Sequence, residues 1–154
     1  MTKNMPNEYR ENFYYLPKIK IPEKINISCE ISEAVKSADL IVVATPTQFI
    51  RSVIENIKDI DFTNRVILSV SKGIENHSLM TVSQIFQDVF KNIQKKNITV
   101  LSGPSHAEEV AKHIPTAVAA AGYEEKNSEV IQKAFSNKYF RVYKSSDVVG
   151  VELG

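Results

Sequence analysis

Glycine is scarce in this chain and absent before Gly73; the others are Gly103, Gly122, Gly150 and Gly154. A glycine-rich phosphate cradle of the G-x-G-x-x-G kind, opening a helix after a strand, is therefore not encoded in it. Cysteine occurs once, as Cys29, which excludes an internal disulfide and fits a reducing, cytoplasmic setting. Cys29 sits in the apolar-rich stretch Ile25 to Cys29, where a buried, inert thiol is expected. The formal net charge of only +1 leaves no basic face for a nucleic acid. The longest apolar runs, such as Leu40 to Ala44 and Ala117 to Gly122, fall far short of the roughly 20 residues that span a membrane. The N-terminal MTKNMPNEYREN is polar, without the apolar core of a secretory signal. His77, His106 and His113 share no metal-ligand spacing and lack a cysteine partner. His106 with Glu108 and Glu109 reads as a solvated first helical turn, the acids complementing the helix dipole.

What is present is a regular beat of short β-branched runs and helical segments. Strands are expected at Ile25 to Cys29, Leu40 to Ala44, Val66 to Val70, Ile98 to Leu101, Thr116 to Ala121 and Tyr139 to Val142. Helices are expected at Ser32 to Ser37, Thr47 to Ile57, Leu79 to Lys91, Ala107 to Lys112 and Ser128 to Phe135. In the second of these Phe49, Ile50, Val53, Ile54 and Ile57 recur at helical spacing, and in the third Val82, Ile85, Phe86, Val89 and Phe90 do. Continuous apolar strands with helices between them argue for an α/β fold, a mostly parallel sheet covered by helices on both faces. The length of 154 residues is one domain or part of one.

In such sheets ligands bind beyond the carboxyl ends of the strands. Three junctions fall there: Thr45 to Phe49, Ser71 to Glu75, and Ser102 to Ser105. The last has two readings. Ser105 followed by Glu108 has the spacing of a capping box, a purely structural device. Alternatively, Gly103 lets a ligand approach the backbone closely, and the free N–H groups of a helix start attract polar groups. Lys72 reads either as a surface lysine with a snorkelled stem or as an ammonium aimed by Gly73 into the strand-end crevice. There it would bind a substrate oxygen and stabilise negative charge. Phe49 reads as core or as a ring packed against a cofactor.

Taken in order, Tyr15-Leu16-Pro17, Ala44-Thr45-Pro46-Thr47-Gln48-Phe49, Ser71-Lys72-Gly73-Ile74-Glu75, LSGPSHAEEVA from Leu101, Pro115-Thr116-Ala117, FRVY from Phe140 and DVVGVELG from Asp147 resemble the bacterial NAD(P)-dependent glycerol-3-phosphate dehydrogenases. The resemblance covers nearly the whole chain. It implies a cytoplasmic oxidoreductase that interconverts dihydroxyacetone phosphate and glycerol 3-phosphate with NAD or NADP, feeds phospholipid synthesis, and forms a homodimer at full length. It implies that Lys72 contacts both cofactor and substrate, that Gly103 and Ser105 contact substrate, and that Ala107, Phe49 and Tyr15 lie on the cofactor side. Two alternatives stand beside it: a related 3-hydroxyacid or 6-phosphogluconate dehydrogenase, and a non-catalytic binding module that keeps only the sheet.

Against that pattern the chain reads as an incomplete Rossmann-like cofactor domain over residues 1–154, missing the first βαβ unit and the helical substrate domain. The family's proton-transferring lysine follows the ELG segment and so falls beyond Gly154. In a sheet of order 3-2-1-4-5-6, loss of the first two strands leaves Leu40 to Ala44 at an open edge. The chain alone is accordingly expected to transfer no hydride.

Overall fold

The computed structural model describes residues 9–154; most of the polar N-terminal segment lies outside the described residues. A small antiparallel hairpin comes first, β1 (Glu11–Asn12) with β2 (Leu16–Lys20). The main sheet has five strands in the order β3-β4-β5-β6-β7: β3 (Leu40–Val43), β4 (Val66–Ser69), β5 (Ile98–Ser102), β6 (Thr116–Gly122) and β7 (Phe140–Ser145). β3, β4 and β5 run parallel, with Leu40 opposite Val66 and Ile67 opposite Ile98. β6 reverses against β5, and β7 runs parallel to β6.

Helices α1 (Ile31–Lys36), α2 (Thr47–Ile54), α3 (Val82–Val89), α4 (Ala107–Ala111), α5 (Glu125–Phe135) and α6 (Val148–Leu153) fill the connections. On one face Ile50 and Ile54 of α2 and Val82, Ile85 and Phe86 of α3 pack on Ile41, Val43, Ile67 and Ile98. On the other, Ile131 of α5 packs on Leu68, Leu101, Val118, Ala120 and Val142. Consecutive residues such as Ile67 and Leu68 therefore serve opposite cores, as strand periodicity demands. A strand buried on both faces reads as an unbroken apolar run, which is why these strands were legible. β3 is the edge of the sheet, and its Val42 is 44% exposed.

Three expectations are corrected. Ile25 to Cys29 is not a strand. Among the described residues no strand pairs with it, and the Arg10 side chain ties down the segment's start by donating to the carbonyls of Ile21, Pro22 and Ile25. Cys29 is exposed rather than buried, because the strand that would have carried it inward does not form. The Ser105–Glu108 capping box is also absent. α4 begins one residue later than that box requires, with His106 as N-cap and no side-chain cap.

Smaller shifts have local causes. α3 starts at Val82 rather than Leu79, since Leu79 has φ +57° and Thr81 with Gln84 forms the capping box there. The helix expected from Thr47 to Ile57 ends its α-helical part at Ile54 and continues as a 3-10 turn, Glu55–Ile57. α6 has no counterpart among the expected helices. Asp147 caps it by accepting from the Gly150 N–H at 2.8 Å.

Candidate functional site

β3, β4 and β5 are parallel, so the three junctions at their carboxyl ends share one rim of the sheet. Strand β4 ends at Ser69, and Lys72 follows in the turn made by Gly73 at φ +91°. A Cβ on Gly73 would meet nothing within 4 Å, so glycine is needed there for backbone conformation and not for space. Strand β5 ends at Ser102, and Gly103 follows with φ +153°. Here the requirement is close approach: a Cβ would stand 2.9 Å from both Cα and Cγ1 of Val118 and 3.0 Å from the Ala117 carbonyl.

The two turns meet. The Lys72 ammonium donates to the Gly103 carbonyl at 2.7 Å, and the Ser105 hydroxyl donates to the same oxygen at 3.3 Å. Three residues separated by up to 33 positions thus converge on one oxygen. Lys72 and Ser105 are both exposed, and the ammonium retains two further N–H donors for an oxygen ligand.

The third junction is stitched to the second. The Thr47 hydroxyl donates to the Lys72 carbonyl at 2.6 Å. Gln48 donates to the Ile74 carbonyl and accepts from the Asn76 N–H, each at 2.8 Å. The Ser71 hydroxyl donates to the Thr45 carbonyl at 2.6 Å. One turn along α2, Arg51 forks onto Glu75 with Nε to Oε1 at 3.0 Å and Nη2 to Oε2 at 2.9 Å, and also pairs with Asp88. The Arg51 hydrogen bonds, and then that from the Ser78 hydroxyl, hold the Glu75 carboxyl below its ordinary value. Glu75 in turn pushes the Arg51 guanidinium further toward its charged form. The sequence offers Thr47 only as a member of the Thr45 to Phe49 junction and gives no sign of Arg51, because hydrogen bonds spanning 24 or 25 positions leave no local pattern.

The remaining candidates lie around this cluster and not in it. Phe49, in the first turn of α2, is 61% exposed and so is not core. Ala107 opens α4 directly after the Gly103 to His106 turn and is exposed. Tyr15 sits at the tip of the β1–β2 hairpin, 79% exposed, and β2 lies against α4. Among the described residues no hydrogen bond joins Tyr15 or Phe49 to the Lys72–Gly103–Ser105 cluster. The Lys72 ammonium at the strand-end rim and the uncovered Phe49 ring at the start of α2 are the exposed groups that such a rim offers a ligand. The pyrophosphate part of a dinucleotide finds no glycine-rich cradle in this chain.

Beyond the rim, α6 is fastened into the body. The carboxylate of Glu152, 2% exposed, accepts from the Ser83 N–H at 2.6 Å and the Ser83 hydroxyl at 2.8 Å. It thereby satisfies a free N–H in the first turn of α3 and sits at the positive end of that helix dipole. At the end of α6, the Gly154 carbonyl accepts from the Ser102 hydroxyl at 3.1 Å. The chain therefore returns to the rim beside Gly103.

Residues 2–128 match the family described as NAD-dependent glycerol-3-phosphate dehydrogenase N-terminus. The chain is 40% identical over 148 residues to a glycerol-3-phosphate dehydrogenase (NAD(P)+) of Carboxydothermus hydrogenoformans, covering 96% of this chain and 44% of that protein. A protein of the same name from Bacillus subtilis is 43% identical over 148 residues, with 96% of this chain and 43% of that one covered. Among solved structures, a glycerol-3-phosphate dehydrogenase from Coxiella burnetii superposes with a TM-score of 0.86 at 27% identity, over 96% of this chain and 44% of that one. The chain thus spans less than half the length of the curated relatives it matches. With its α/β sheet and the rim where Lys72 meets Gly103, the chain belongs to the family of NAD-dependent glycerol-3-phosphate dehydrogenase N-terminal domains.

Proposed function

We propose that this chain supplies part of the cofactor and substrate site of an enzyme that interconverts dihydroxyacetone phosphate and glycerol 3-phosphate with NAD or NADP. The observation that carries this reading is the 2.7 Å contact between the Lys72 ammonium and the Gly103 carbonyl, with Ser105 on the same oxygen. The nicotinamide, when bound, supplies or takes the hydride. Lys72 then offers its remaining N–H groups to the substrate oxygen at the reacting carbon, where negative charge grows during reduction. Gly103 keeps the backbone low enough for the substrate to reach it, and the Ser105 hydroxyl adds a polar contact at the rim. Ala107, Phe49 and Tyr15 line the cofactor side, and Phe49 offers a ring face already clear of the core. Residues 1–154 act as a partial Rossmann domain, in a cytoplasmic enzyme that is a homodimer at full length.

The test is a chimera in which residues 9–154 replace the matching segment of the Bacillus subtilis relative. The reading predicts NAD(P)H-dependent reduction of dihydroxyacetone phosphate, with 3-hydroxyacids and 6-phosphogluconate poor substrates. A folded chimera that binds cofactor yet reduces no dihydroxyacetone phosphate would overturn it and favour the binding-module alternative.

A further inference from the structure

Gly73 leaves the turn after β4 without steric restraint, since nothing lies within 4 Å of where its Cβ would be. A glycine in that position samples many conformations unless hydrogen bonds on either side hold the flanking peptide planes. Those bonds come from α2. The Lys72 carbonyl, on the peptide plane just before Gly73, accepts from Thr47 Oγ1 at 2.6 Å. The Ile74 carbonyl, just after it, accepts from Gln48 Nε2 at 2.8 Å. Gln48 also receives the Asn76 N–H, and Arg51 holds Glu75. Of these groups Thr47 is the buried one, at 6% exposed, so the donor side of its partly buried bond is shielded from water.

We infer that Thr47 is a positioning residue for Lys72: its hydroxyl pins the Lys72 carbonyl and so sets the direction in which the ammonium leaves the backbone, toward Gly103. It acts through Lys72 and makes no contact of its own with the rim oxygen shared by Lys72 and Ser105. With the hydroxyl removed, the Lys72–Gly73 peptide plane turns freely and the ammonium leaves the Gly103 oxygen for water. The functional consequence rests on the dehydrogenase reading; the geometric claim does not.

The experiment is competitive amine labelling of the 154-residue chain, kept dilute and monodisperse by light scattering and read peptide by peptide by mass spectrometry, with exposed Lys58 as internal reference. In the parent protein Lys72 labels at least roughly threefold more slowly than Lys58, the effect of one hydrogen bond to the reacting amine. Thr47→Val keeps the side-chain shape and removes the donor, and brings Lys72 to the rate of Lys58. Thr47→Ser restores slow labelling. Gln48→Ala, at an exposed position, gives a smaller acceleration and serves should Thr47→Val fail to fold. A general loss of packing shifts the melting temperature without this lysine-specific pattern. Slow labelling of Lys72 in a folded Thr47→Val, or in Gln48→Ala where Thr47→Val does not fold, would overturn the proposal, as would fast labelling in the parent or in Thr47→Ser. Because labelling needs no catalysis, a folded, cofactor-binding but inactive chimera would sink the dehydrogenase reading and leave this result standing.

Discussion

Lys72, Gly103 and Glu75 decide the behaviour of the rim, each for a different physical reason. Lys72 carries a charge that is anchored but accessible, donating to Gly103 while remaining exposed. Gly103 carries no side chain because β6 is already in the way: the obstructing atoms include the Val118 Cα and the Ala117 carbonyl, which cannot swing aside. Gly103→Ala is therefore expected to destabilise the chain by about 1–3 kcal/mol, the usual cost of forcing atoms into packed space, measurable by urea denaturation. Gly73→Ala, with open space around it, costs only the backbone strain of a positive φ, about 1–2 kcal/mol. Glu75 sets a pH limit. Its folded-state carboxyl is held below the ordinary value, chiefly by Arg51, so its contribution is fully present above the unfolded pKa and is lost as pH falls through the folded one. The melting temperature should thus gain from the pair at neutral pH and lose that gain in acid, below about pH 4. Arg51→Ala should lower stability by about 1–2 kcal/mol at neutral pH and flatten that acid dependence. An unchanged acid slope in the variant would contradict the assignment.

The helices differ in what holds them. α2 and α3 are secured by buried apolar stripes, whereas α4 buries no residue and α6 combines the buried Glu152 carboxylate with Val148 and Val151 packed on Val100 and Ala121. Glu152→Ala should cost about 1–3 kcal/mol, since the buried Ser83 N–H and hydroxyl lose their acceptor together. Amide exchange should show α6 opening more readily in that variant than in the parent chain. This contrast also explains what was legible in the sequence. Strands β3 to β5 and helices α2 and α3 announce themselves through apolar periodicity, and the ends of those parallel strands fix where Lys72 and Gly103 must lie. The β1–β2 hairpin escaped notice because its first strand is two residues long and its turn rests on the Asn12 side chain. α6 escaped because DVVGVELG carries two glycines, which weaken a helical signature, and it is held by Glu152, the Asp147 cap and only a short apolar contact through Val148 and Val151. Ile25 to Cys29 misled for the converse reason. Its composition is that of a strand, but a strand needs a neighbour and composition cannot supply one.

Across the described residues as a whole, a sheet packed on both faces ends in an unprotected edge. β3 pairs only with β4 among the described residues, and Val42 there is 44% exposed. Unpaired ladder groups beside an apolar side chain invite association between chains. The 154-residue polypeptide is expected to aggregate at moderate concentration, and Val42→Lys to reduce that, as followed by light scattering. The same polypeptide encodes no pyrophosphate cradle, so by itself it should oxidise no NADH in the presence of dihydroxyacetone phosphate. The functional claim reduces to the Lys72 ammonium serving the substrate oxygen at the rim it shares with Gly103 and Ser105. The most direct measurement is kcat/KM for dihydroxyacetone phosphate in the chimera with Lys72→Met, which keeps the stem and removes the charge. The account predicts a loss of about 100-fold or more, as for removal of a donor to a developing negative charge, with the melting temperature little changed. A Lys72→Met chimera that keeps kcat/KM within about threefold of its parent, less than one hydrogen bond is worth, would contradict it.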